Sequence, residues 1–149
     1  VWLDVEGKQG LLDSAGQPRE AVAAVVASGR SVASLDLLYQ GEFLPDGQPL
    51  SQTRKVENPR EYAGYTFGYN YPLFAQRVHD VLSMLSFVRH HELQPQRVHL
   101  VAARGAAHWG AVAAAQAPDA VDVLVLDTQG FRFVQATGYR DPNFWPGRM

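Results

Sequence analysis

Short apolar runs alternate with helix-forming stretches along the chain, and this alternation limits the fold more than any other feature. Residues 1–5 are mostly apolar and end at Glu6-Gly7-Lys8, which reads as a strand. Residues 17–28 follow Gly16, carry Pro18 near their start, are rich in alanine and are followed by Gly29. Proline at the entrance and glycine past the exit mark a helix. Residues 31–38 read as a second strand. Residues 40–70 are rich in Gly, Pro and polar side chains without a clean period. Connections this long in a compact domain usually carry function or cover something.

Asn70-Tyr71-Pro72 opens the clearest helix, which runs to about Glu92. Its Phe74, Val78, Val81, Leu82, Leu85 and Val88 fall on one face at helical spacing. Residues 98–102 form a short apolar strand, and the alanine-rich residues 105–116 form a helix that stops before Pro118. Residues 121–126 read as a fourth strand ended by Asp127. From Thr128 onward no element is evident, but Phe131, Phe133, Tyr139, Phe144 and Trp145 are carried there. The order β-α-β-α-β-α-β predicts a single α/β domain over residues 1–149, with a parallel sheet of about four strands covered by helices on both faces.

Composition excludes several classes. With 149 residues, 46% of them hydrophobic, the chain has the length of one domain and enough apolar material for a core. Charged residues make up 19% and the net charge is −2, which argues against a broadly basic nucleic-acid surface. No run of about 18 apolar residues is present, so no membrane-spanning helix is expected. The opening Val1-Trp2-Leu3-Asp4-Val5-Glu6 lacks the basic start and apolar middle of a signal peptide. The absence of cysteine excludes disulfides, thiol nucleophiles and cysteine metal sites.

In an open parallel sheet, ligands sit beyond the carboxyl ends of the strands, near the point where strand order reverses. The residues expected there are Asp4, Glu6, Gly7 and Lys8 after the first strand, and Asp36 and Tyr39 at the second. Ala103, Arg104, Gly105 and His108 follow the third strand, and Asp127 and Thr128 the fourth. For Asp36 and Lys8 in particular, the plain alternative is that charges end strands because loops are wet. The turn Ala102-Ala103-Arg104-Gly105-Ala106-Ala107-His108 joins strand to helix through small residues, as a nucleophile elbow does. Its central position is Arg104 or Gly105, neither of which forms an acyl intermediate. Gly29-Arg30-Ser31-Val32-Ala33 imitates an elbow loosely, but it lies between a helix and the following strand, the wrong order.

Trp2-Leu3-Asp4-Val5-Glu6-Gly7-Lys8, Leu38-Tyr39-Gln40-Gly41-Glu42-Phe43-Leu44 and Thr66-Phe67-Gly68-Tyr69-Asn70 belong together with Phe74-Ala75-Gln76-Arg77-Val78-His79-Asp80-Val81-Leu82 and the strand–turn–helix at residues 98–107. With these segments the chain resembles α/β-hydrolases of the acetyl-xylan-esterase and dienelactone-hydrolase-like group. The resemblance implies that the four strands correspond to strands three to six of that fold, in the spatial order second, first, third, fourth. It also implies an oxyanion-hole contribution from the loop Glu6-Gly7-Lys8, with further amides from the helix start at residues 105–108. Two departures stand out. The elbow has no nucleophile, and the later strands that carry the acid and histidine of the triad have no counterpart here. The chain therefore reads as a truncated, hydrolase-like module.

Five histidines remain. His79 and His90 form a stripe with Ser83 and Ser86 opposite the apolar helix face, which reads as solvated. His90-His91-Glu92 reaches a metal only with a second element, and His99 lies within a strand. His108 sits in the first turn of a helix, where the dipole favours neutral imidazole, a general base or a metal ligand. One expectation follows: His108 with Glu6 or Asp127 activates water on activated carboxyl or phosphate esters, assisted by Arg104 and the helix amides. A divalent ion held by His108 and Asp127 is the metal-dependent version. The alternative is a non-catalytic scaffold or binding half-domain. Nucleotide binding is weaker, because the glycines of the first turn do not form G-x-G-x-x-G. An exposed fourth strand and an aromatic tail predict a homodimer or a partner domain.

Overall fold

The computed structural model describes residues 1–44, 46–48, 68–135 and 141–145. Among them lie β1 (Trp2–Leu3), α1 (Glu20–Ala27), α2 (Leu73–Arg89), β2 (His99–Ala102), α3 (Ala107–Gln116) and β3 (Val123–Leu126). Single 3-10 turns occupy Gly7–Leu11, Gly41–Phe43, Pro118–Ala120, Phe133–Gln135 and Pro142–Phe144. The strands form one parallel sheet in the order β1-β2-β3, with Leu3 opposite Ala102 and His99 to Ala102 opposite Val123 to Leu126. The architecture is α/β, and three strands are present among the described residues rather than four.

The missing strand is the one expected over residues 31–38. That segment accepts one backbone hydrogen bond from β1, Trp2 N–H to the Ala33 carbonyl at 2.8 Å. Further along, side chains take its amides: Leu37 N–H donates to Gln40 Oε1 and Leu38 N–H to Asp80 Oδ2. Amides spent on side chains are not available for a ladder. The expected connection over residues 40–70 lies mostly outside the described residues.

The helices start and stop where local chemistry dictates. α1 follows Pro18 and ends at Ser28, with Gly29 beyond it at φ +80°, the left-handed exit that glycine takes without strain. α2 begins after Pro72 and ends as His90 Nδ1 turns back to the Ser86 carbonyl. Its apolar face is the expected one: Val78, Val81 and Leu85 are buried, and Phe74, Leu82 and Val88 pack partly against the core. The opposite stripe of His79, Ser83, Ser86 and His90 is exposed. α2 and α3 pack on each other, and α3 lies across β2 and β3. Gly110 permits this: a Cβ there would come within 2.8 Å of the Ala102 side chain. The core joins Leu3, Leu37, Val81, Leu85, Leu100 and Trp109 between these elements. α1 buries only Val22, and every residue of β3 is exposed.

Candidate functional site at the ends of β1 and β2

The chain leaves β1 through Asp4, whose side chain is 1% exposed. A carboxylate so far from water needs a partner. Arg104 supplies it, with Nε to Asp4 Oδ2 at 2.7 Å and Nη2 to Asp4 Oδ1 at 2.8 Å. Nη2 also reaches Glu6 Oε2 at 2.6 Å and the Gly10 carbonyl at 3.2 Å. The two carboxylates hold the guanidinium firmly in its charged form, the Asp4 hydrogen bonds most of all. Gly10 is required beside them, because a Cβ there would overlap the Asp4 carboxylate and crowd Arg104 Nη2.

Arg104 occupies the apex of the strand-to-helix turn. Its φ is +45° and that of Gly105 is +92°, so both residues of the expected elbow centre are in the left-handed region. A non-glycine residue there is strained by about 1 kcal/mol or more, and such strain persists only where the surroundings hold it. Here the fork on Asp4 does so. Asp127 closes the other side of the turn, accepting Arg104 N–H at 3.4 Å through Oδ2 and Gln129 N–H at 3.2 Å through Oδ1.

The loop after β1 is equally committed. Glu6 N–H donates to Asp4 Oδ1 at 2.9 Å, Gly7 N–H to the Asp4 carbonyl at 3.0 Å and Lys8 N–H to Asp36 Oδ1 at 2.8 Å. These are the amides for which the sequence resemblance implied an oxyanion hole. Asp36 is a structural hub: it also accepts Glu42 N–H, and its carboxylate lies 3.4 Å from Lys8 Nζ, so it ties the loop after β1 to the turn Gly41–Phe43. Gly7 and Gly41, both at positive φ, leave the room that this carboxylate fills. The Glu42 hydrogen bond raises the Lys8 pKa.

His108 faces elsewhere. It is 8% exposed and lies in an aromatic enclosure, with its ring centroid 4.7 Å from Phe131, 4.5 Å from Trp109 and 5.9 Å from Phe74. Its Nε2 lies 3.3 Å from Asn143 Oδ1, which also accepts Trp109 Nε1–H at 2.9 Å. Nδ1 is buried and has no hydrogen-bond partner among the described residues. Burial pushes the His108 pKa down, and Arg77 adds to this; Asn143 and Asp141 oppose it. Burial thus favours the neutral ring, and no hydrogen bond joins it to Glu6 or Asp127. Among the described residues no group of three His, Asp or Glu side chains is placed to hold a metal ion. The structure therefore brings Asp4, Glu6, Arg104 and Asp127 to one turn and leaves His108 with the tail.

Three functional-looking residues escaped the sequence reading. Arg77 is buried on the apolar face of α2, with its guanidinium 4.5 Å above the Trp109 ring. Its Nε and Nη2 donate to the carbonyls of Leu38 and Tyr39, and burial lowers its pKa to about 10. Its position between Phe74 and Val81 at helical spacing was the available signal. Gln40, 4% exposed, donates to the carbonyls of Asp4 and Val5 and accepts Leu37 N–H. Asn143 is set by the Asp141-Pro142 turn, in which Asp141 Oδ1 accepts both Asn143 N–H and Asn143 Nδ2–H.

A groove of about 440 Å³ runs between α2 and α3, lined by Tyr71, Phe74, Val78, Leu82 and Val112 among others, and by none of Asp4, Glu6, Arg104 or Asp127. Comparison with family models, curated proteins and solved structures finds no match to this chain.

Proposed function

We propose that this chain is a non-catalytic, hydrolase-like half-domain, a scaffold that binds a partner rather than turning over a substrate. The observation that carries this reading is the commitment of the would-be catalytic crevice. The amides of Glu6, Gly7 and Lys8 are all donated to Asp4 or Asp36, and the elbow apex is an arginine locked on Asp4 and Glu6. Hydrolysis needs donors aimed at a developing oxyanion and a base within reach of the attacking water. The loop amides of Glu6, Gly7 and Lys8 are turned inward, and no hydrogen bond joins the His108 ring to Glu6 or Asp127.

The open edge of β3 supports the binding half of the proposal. Val123, Leu124, Val125 and Leu126 are 36–50% exposed, and β3 is the end strand of its sheet. An apolar edge with no Lys, Pro or bulge is a ready template for association. The expected partner is a second copy of this chain or a partner domain.

The test is turnover of nitrophenyl carboxyl and phosphate esters by metal-analysed protein, with and without chelator, beside light scattering over a range of concentrations. No saturable turnover, together with a mass that rises with concentration, is the expected result. Turnover that survives repeated purification and disappears in His108→Ala would replace this proposal with water activation by His108. A metal requirement would point to a divalent ion.

A further inference from the structure

The aromatic enclosure of His108 belongs to three parts of the chain: α2 provides Phe74, α3 provides His108 and Trp109, and the segment after β3 provides Phe131, Phe133 and Asn143. Phe133 packs edge-on against both Phe74 and Phe131, and Leu73 N–H donates to the Trp145 carbonyl at 2.7 Å. The tail is thus held to the two helices around one imidazole.

The proton on that imidazole is placed by its neighbours. Asn143 Nδ2 donates to Asp141 Oδ1, so the Asn143 amide oxygen faces inward. That oxygen accepts from Trp109 Nε1–H and is an acceptor toward His108, which fixes the imidazole proton on Nε2. Nδ1 is then a buried lone pair without a donor among the described residues. A second proton would enter at Nδ1 and find no acceptor. The charged groups acting on the ring are Arg77 from α2, a repelling cation, and Asp141 from the tail, an attracting carboxylate. α3 itself carries no other charge, and Arg132 on the tail is exposed. The ring also lies in the first turn of α3, where the helix dipole opposes a cation.

The geometry points to a latch: neutral His108 holds the segment carrying Phe131, Phe133 and Asn143 against α2 and α3, and its protonation in acid releases that segment while the sheet stays folded. Release wets the ring and supplies water to Nδ1–H. The part of the molecule that moves is the tail, because it brings the rings that cover His108. α2 and α3 are anchored by Val78, Val81, Leu85 and Ala113 in the core.

Hydrogen exchange followed by NMR from pH 7.5 to 4.5, corrected for intrinsic rates, tests this on the whole chain. The Trp109 indole N–H and the Leu73 amide should lose protection at least tenfold as pH falls below the ordinary histidine range, while the amides of Leu100 and Val101 in β2 keep theirs. In His108→Phe, which fills the enclosure but does not titrate, protection at Leu73 should be independent of pH. Should that variant not fold, the wild-type His108 ring resonance serves instead: its titration must coincide with the loss at Trp109. Unchanged protection down to pH 4.5 would overturn the latch. So would an equal loss in His108→Phe, which would assign it to Asp141, or a simultaneous loss in β2.

Discussion

Arg104 is the residue on which the end of the sheet depends. Two opposed effects meet there: a left-handed backbone that disfavours a side chain, and a fork that neutralises a carboxylate buried at 1% exposure. The second is larger. Removing one partner of a buried pair leaves the other charge uncompensated and costs about 3–5 kcal/mol. The Arg104 side chain is itself 36% exposed, so the loss should fall at the low end of that range. Arg104→Ala is therefore expected to destabilise by about 3 kcal/mol in urea unfolding. Arg104→Gly loses the same fork but relieves the backbone, and should be less harmful than the alanine variant by about 1 kcal/mol. Glu6→Gln tests the outer arm: Glu6 is 57% exposed, and the change should stay below about 1 kcal/mol. An Arg104→Ala variant as stable as the wild type would show that Asp4 is not held by this fork.

At the scale of elements, α2 and β3 show the two extremes of burial. Leu85 is 1% exposed, inside the α2 face that joins the core, whereas Leu124 on β3 is 40% exposed. Leu85→Ala deletes methylenes from a packed interior and should cost about 2–5 kcal/mol. Leu124→Ala should stay within about 0.5 kcal/mol in the monomer, as surface changes do. If β3 is an interface, the same Leu124→Ala change should weaken the concentration dependence of the light-scattering mass while leaving dilute-solution stability alone. Equal urea midpoints for both variants would contradict the burial contrast. The tail shows how an element escapes local reading. Its 3-10 turns are too short for periodicity, and its order comes from ring packing against Phe74 and His108.

For the whole molecule the acid side of the stability curve is the informative one. The pKa of His108 is lowered in the folded state from the ordinary 6.5 by burial. As pH falls below that value the unfolded chain takes up a proton that the folded chain refuses, so stability declines until folded His108 also titrates. The decline cannot exceed about 1.4 kcal/mol per pH unit for one group. Urea midpoints measured between pH 7.5 and 5 should fall for the wild type and stay flatter for His108→Phe. Asp122 adds to the acid loss lower down. Its carboxylate accepts Val98 N–H and pairs with Arg89, so its pKa is depressed, and its contribution is lost as pH falls through that depressed value. No helix among the described residues is long and apolar enough to cross a membrane.

Local pattern was enough for the elements that are themselves local. The α/β alternation, the apolar face of α2, its solvated histidine stripe, the glycine exit of α1 and the strand-to-helix turn at Arg104 all follow from spacing along a few residues, because helical period and turn chemistry act over that range. What tertiary structure decided lies between residues far apart. Arg104 and Asp4, 100 positions distant, pair because β1 and β2 are neighbours in the sheet. Lys8 N–H is taken by Asp36, and Leu38 N–H by Asp80, so the loop expected to donate to a substrate donates inward and the expected second strand forms no ladder. His108 turns to Asn143 instead of an acid because the tail folds back over α2 and α3. Each of these is a choice of partner for a polar group. Sequence reveals which groups need partners, and only the packed chain determines which ones they meet.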